Sequence, residues 1–115
     1  MWNFFGKTDI QLEALRLEAM ASGDESILLS ERVVWEEFPA YASALAGLVG
    51  GRIIDEADSA AERVWTVSIG GQRFFLAYDD YPSGVSLEPQ DRGAAALIPT
   101  ILQRLLRVRG HSRSG

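Results

Sequence analysis

Cysteine is absent, and histidine occurs once, as His111 near the C-terminus. The first absence excludes disulfides, thiolate nucleophiles and cysteine metal sites. The second excludes a histidine-based catalytic triad and a multi-histidine metal site within one chain. No hydrophobic run reaches the roughly 20 residues that a membrane-spanning helix needs. The start, MWNFFGKTD, lacks the basic-then-apolar order of a secretory signal. These absences point to a cytoplasmic protein with no membrane association, no metal and no cofactor.

What is present argues for a packed core. Of 115 residues, 47% are hydrophobic and three are tryptophan, too apolar for a disordered chain. The length suits one domain, expected as a single α+β unit over residues 1–110 with a disordered tail over 111–115. Charge is unevenly spread. Residues 1–91 carry six Lys/Arg and all sixteen Asp/Glu, whereas residues 92–115 carry five Arg and no acid. An acidic body repels nucleic-acid phosphate and favours basic partners, although a net charge of −5 is also ordinary for a soluble domain.

The most legible stretch is ERVWTVSIGGQRFFLAYDDYPSGVSLE, residues 62–88. Gly70-Gly71 separates two runs rich in β-branched and aromatic residues, and glycine accepts the positive φ of a two-residue hairpin turn. That turn places Ile69 opposite Gln72, Val67 opposite Phe74 and Trp65 opposite Leu76. Alternation then assigns Trp65, Val67, Ile69, Phe74, Leu76 and Tyr78 to a core face. Val64, Thr66, Ser68, Arg73, Phe75 and Ala77 fall on a mixed second face. A third strand follows the turn Asp79 to Gly84, with Val85 and Leu87 pointing one way and Ser86 and Glu88 the other.

Elsewhere, Thr8 and Gln11 fit a capping box, and the stripe Ile10, Ala14, Leu17 and Ala21 predicts a helix to about Ala21. Residues 26–35 read as a strand, or as one broken at Ser30-Glu31. Pro39 suits a first helical turn. Phe38, Ala42, Leu45, Leu48 and Val49 predict a second helix, stopped by Gly50-Gly51, before a strand over 52–57. Leu97, Ile98, Ile101, Leu105 and Val108 predict a C-terminal helix. Pro99 requires that it begin near residue 97, or begin near Arg92 and bend, and Gly110 is a candidate stop. The sum is an α+β fold: a mostly antiparallel sheet of four or five strands, with N-terminal, middle and C-terminal helices packed on one face.

No catalytic constellation emerges. Asp79, Asp80, Glu88 and Asp91 lie near the last strands and could supply oxygen ligands for a hard cation, as in a small metal-dependent hydrolase. The calcium-loop spacing is missing, however, and turn-forming aspartate explains these positions. Ser83-Gly84 lacks the context of a nucleophile elbow. Gly47, Gly50 and Gly51 follow a helix rather than lead into one, unlike a phosphate loop. Arg104, Arg107 and Arg109 complement a helix C-terminus and carry no interleaved aromatics, so no nucleic-acid partner is expected. Tyr81 in an acidic turn and Phe75 on the mixed face are the aromatics available as contact anchors, unless a helix or the N-terminal segment covers Phe75.

The segment FFLAYDDYPSGVSLEP followed by LIPTILQRL resembles small bacterial immunity proteins of polymorphic-toxin and contact-dependent-inhibition systems, over residues 64–106. The resemblance implies a small, acidic, cytoplasmic α+β protein that occludes one cognate toxin domain and catalyses nothing. It implies partner contact at Asp79, Asp80, Tyr81 and Glu88, with Phe75 added from its exposed position. The expected function is binding to, and neutralising or regulating, a protein partner more basic than the chain itself. A metal-dependent hydrolase or a subunit assembling through the aromatic N-terminus or a sheet edge, as monomer or homodimer, are the alternatives.

Overall fold

The computed structural model describes residues 10–80 and 83–114, with side chains as far as residue 110. Six strands form one sheet: β1 (Arg16–Ala19), β2 (Glu25–Ser30), β3 (Arg52–Asp58), β4 (Glu62–Ile69), β5 (Gln72–Asp80) and β6 (Ser83–Pro89). A 3-10 turn, Trp35–Glu37, leads into helix α1 (Phe38–Leu48), and a short α2 (Arg92–Ala95) precedes α3 (Ile98–Ser114). Strand order is β1-β2-β6-β5-β4-β3, and every neighbouring pair is antiparallel. The described residues are thus α+β as expected, with six strands rather than four or five.

The central hairpin has the register its sequence predicts. Ile69 pairs with Gln72, Val67 with Phe74 and Trp65 with Leu76, and Gly70 and Gly71 both adopt positive φ, at 58° and 79°. Trp65, Val67, Ile69, Phe74, Leu76 and Tyr78 are all buried. They pack with Ile27, Leu29, Val85 and Leu87 from the neighbouring strands and with Phe38, Tyr41, Leu45, Ile98, Ile101 and Leu105 from α1 and α3. Both long helices therefore cover the same face. Phe38 anchors this layer, with its ring 5.1 Å from Trp65, edge-on, and 5.8 Å from Tyr78.

The predicted N-terminal helix is not formed. Residues 10–15 are irregular and residues 16–19 are a strand; the candidate cap Thr8 lies outside the described residues. Leu12 and Leu15 are buried as a helical stripe would require, but their backbone bonds are tertiary. The Ala14 N–H donates to Leu29 O, Tyr41 Oη donates to Gln11 O at 2.6 Å, and Arg109 donates to Leu12 O. Helix propensity is a weak preference, and the edge of β2 offers residues 16–19 a ladder partner that an isolated helix lacks. A tight turn with Gly23 at φ 95° closes the hairpin.

The strand expected over 26–35 ends at Ser30. Its hydroxyl accepts from the Arg32 N–H at 3.0 Å and donates to Glu13, which also accepts from the Glu31 N–H; these local bonds turn the chain out of the sheet. Helix α1 ends as expected. Gly50 sits at φ 71°, and the Gly51 N–H reaches Ala46 O at 2.8 Å, the 6→1 bond of a Schellman cap. The Pro99 ambiguity is settled by two separate helices. Asp91 caps α2 by accepting from the Ala94 N–H at 2.9 Å. Helix α3 then starts at Ile98, so Pro99 lies in a first turn where its missing N–H costs nothing. Gly110 does not stop this helix, which extends to Ser114.

Candidate functional site

Side chains opposite the core layer form the second face of the sheet, and no described helix packs on it. Residues directly opposite one another in an antiparallel pair share a face, so the register arranges this face in rows that cross the strands. One row is Leu28, Ser86, Ala77, Val64 and Ala57, on β2, β6, β5, β4 and β3. These members are small or apolar, and Leu28, Ser86, Ala77 and Val64 line a shallow depression of roughly 460 Å³; the row continues onto β1 at Arg16, opposite Leu28.

The rows on either side carry acid. Towards the β5–β6 turn, Glu62 pairs with Asp79, and Asp79 with Gly84. On the other side, Glu88 pairs with Phe75, and Phe75 with Thr66. Glu18, Glu31, Glu62, Asp79 and Glu88 all line the depression, and no cationic side chain lines it among the described residues. Arg16 sits at the rim, 3.3 Å from Glu18 and 3.7 Å from Glu31. Arg52, Ser68 and Arg73 make a separate row at the far end of the face, beside the Gly70-Gly71 turn. The face is therefore electrostatically lopsided.

Glu88 records this environment. Partial burial, reinforced by the negative charge of Glu62, raises its pKa above the usual carboxylate range. A cationic group arriving over the face would counter the Glu62 charge and favour the ionised form of Glu88. Phe75, beside Glu88, is 37% exposed; neither helix covers it.

The sequence-predicted site residues divide between the two faces. Asp79, Glu88 and Phe75 share the open face. Asp80 follows Asp79 along β5 and accepts a hydrogen bond from the core-face Tyr78 hydroxyl at 2.8 Å. Burial, then this bond to Asp80, raises the Tyr78 pKa. Tyr81 lies outside the described residues. Asp79, Asp80 and Glu88 thus do not converge as a hydrolase's metal ligands would, and among the described residues no group of three or more His, Asp or Glu side chains is placed to hold a metal ion.

Glu18, Glu31, Glu62, Ala77 and Ser86 are the residues that sequence reasoning missed. Glu62 was within reach, because running the glycine-turn register outward pairs it with Asp79. Glu18 was hidden by the helical reading of residues 8–21. The arginines of α3 are partly occupied by structure: Arg104 donates to Leu48 O at the C-terminus of α1, and Arg109 to Leu12 O.

The edges of the sheet are poor docking sites. Strand β1 is four residues long, and β3 carries Arg52, Asp55, Glu56 and Asp58 with a bulge between Ile53 and Asp55. Short, charged and bulged edges oppose strand addition, whereas the open face is a broad surface that no described helix covers. Among the described residues no helix is long and apolar enough to cross a membrane.

Residues 15–107 match the model of a family described as Protein of unknown function (DUF3630). No curated protein and no solved structure matches the chain.

Proposed function

We propose that this chain, which belongs to the DUF3630 family, is a non-enzymatic binding protein that neutralises or regulates a protein partner more basic than itself. One observation carries the reading. Among the described residues no helix packs on one face of the six-stranded sheet, and that face offers an apolar floor between two acidic walls. Apolar contact supplies affinity, while the carboxylates supply steering and selection for a cationic surface. The resemblance of residues 64–106 to bacterial immunity proteins gives the proposal its specific form, the occlusion of a basic toxin domain in the cytoplasm. Asp79, Glu88 and Phe75 are contact residues in this reading, and Asp80 acts by fixing the end of β5 through Tyr78.

The test is capture of partners from lysate of the native host, at low and at moderate salt, with the wild-type chain and with Ala77→Arg. A stoichiometric basic protein, weakened by salt and lost with Ala77→Arg, supports the reading. A partner that binds Ala77→Arg as well as wild type removes the open face from the function.

A further inference from the structure

The dimensions of the open face say what kind of element it takes, granted the reading of that face as a binding surface. The two acidic walls are four residues apart along each strand. Glu88 and Gly84 bound the floor on β6, Phe75 and Asp79 on β5, and Thr66 and Glu62 on β4. At about 3.3 Å per residue the walls stand about 13 Å apart. The floor from Val64 through Ala77 and Ser86 to Leu28 crosses four strands, which at about 4.8 Å per step is about 14 Å. An α-helix with its side chains is about 10–12 Å across and rises about 5.4 Å per turn. The trough is one helix wide and between two and three turns long.

We propose that the trough seats one amphipathic helix of the partner, running across the strands, with an apolar stripe on Leu28, Ser86, Ala77 and Val64 and basic residues along both flanks. The floor favours this occupant. Ala77 and Ser86 are small, so a helix axis can approach closely over the centre; half-buried Val64 gives apolar contact on one side, and Leu28, itself buried, underlies the other. Charge complementarity selects the flanks, because Glu62 and Asp79 face one side of the seated helix and Glu88 and Glu18 the other. An extended peptide fits less well. Its backbone bonds need a sheet edge, and both edges here are blunted.

The full chain is titrated with three synthetic peptides of about 14 residues, or about four helical turns, and followed by amide chemical shifts and by circular dichroism. One is an Ala/Leu-striped helix with arginine on both flanks. The second has the same composition with a central proline. The third has glutamate in place of arginine. The expected result is saturable binding of the first alone, with gained helicity and with shifts centred on Val64, Ala77, Ser86 and Glu88. Ala77→Arg and, independently, Ser86→Lys each weaken it by about tenfold or more, the scale of a lost interface anchor; melting curves of both variants check that the sheet is intact.

Equal binding of the proline peptide overturns the helix. Shifts centred on Asp55, Glu56 and Asp58 of the β3 edge overturn the trough. Concentration-dependent self-association abolished by Ala77→Arg also overturns the proposal, by seating a second copy there, for which α3 with exposed Leu106 and Arg107 is the available basic helix. A host partner lost with Ala77→Arg, combined with no peptide binding, sinks the helix and leaves the binding reading standing.

Discussion

The Arg63 guanidinium carbon lies over the Trp35 ring, 4.2 Å from its centroid. The side chain is only 13% exposed and reaches Asp58 at 3.6 Å, while the Trp65 indole N–H donates to the same carboxylate at 3.0 Å. A cation thus closes one end of the core, stacked on one tryptophan and tied through Asp58 to a second. Trp35 in turn meets Tyr78 edge-on at 6.0 Å.

Removing that cation leaves the Asp58 carboxylate without its ion pair and the Trp35 ring without its stacking partner. Arg63→Ala should lower stability by about 1–3 kcal/mol. Arg63→Lys keeps the charge and loses the planar stack, so it should recover only part of the loss. Urea unfolding of the two variants beside wild type checks this; an unchanged midpoint for Arg63→Ala would show the stack to be inert.

Glu88 links stability to pH. Its folded-state pKa lies above the ordinary glutamate value of 4.5 because of burial and the Glu62 charge. The folded chain therefore holds the proton more tightly than the unfolded chain. The favourable contribution is complete below about 4.5, the unfolded value, and is lost as pH rises through the raised value. Glu88→Gln removes this titration. It should be more stable than wild type at neutral pH, and its unfolding midpoint should lack that part of the decline above pH 4.5. A Glu88→Gln profile parallel to wild type would mean that the carboxylate is well solvated.

Gly51 marks a close approach between the α1–β3 connection and β4. A Cβ built there would lie 2.6 Å from the Ser68 carbonyl oxygen and 2.9 Å from the Ile69 side chain. Gly51→Ala should cost about 1–3 kcal/mol through displacement of this connection. Gly47→Ala meets nothing within 4 Å and replaces a helical glycine, so it should stabilise by up to about 1 kcal/mol. Thermal melts of this pair separate steric exclusion from a general intolerance of change in α1.

Tyr41 holds down the segment that was expected to be helical. Its hydroxyl donates to Gln11 O at 2.6 Å, and burial, with the Glu13 charge behind it, pushes its pKa well above the usual tyrosine value. Tyr41→Phe should cost about 1 kcal/mol and raise amide exchange over residues 10–15 more than in β4 or β5. Uniform loss of protection would show that this segment unfolds only with the whole domain.

What the sequence made legible follows from where the information lies. The β4–β5 hairpin was readable to the residue because Gly70-Gly71 fixes the turn and alternation fixes the faces, both local properties. Helix α1 and its stop at Gly50-Gly51 were readable for the same reason. The failure at residues 10–21 is instructive. Leu12 and Leu15 satisfy a helical stripe and an irregular packed segment equally well, and the choice is made by Leu29, Tyr41 and Arg109, which are distant in sequence. Asp79, Glu88 and Phe75 could be placed on one face from sequence because they sit in the readable hairpins. Glu18 and Glu31 reach the depression only through that long-range arrangement, and the hydrogen bond from Tyr78 to Asp80 is invisible to alternation alone.

The strand order has a kinetic corollary. Strands β3, β4, β5 and β6 are consecutive neighbours, each able to zip onto the one before it through a short turn. The seam between β2 and β6 instead joins Ile27 to Leu87, sixty positions apart, and closing so long a loop carries an entropy cost that local contacts must first offset. Contact order therefore predicts that the meander forms first and that the β1–β2 hairpin docks onto β6 afterwards. The proposed trough straddles that seam, with Val64 and Ala77 in the unit that forms first and Leu28 and Glu18 in the one that arrives last. A nascent chain would therefore have no complete docking surface until its final folding step.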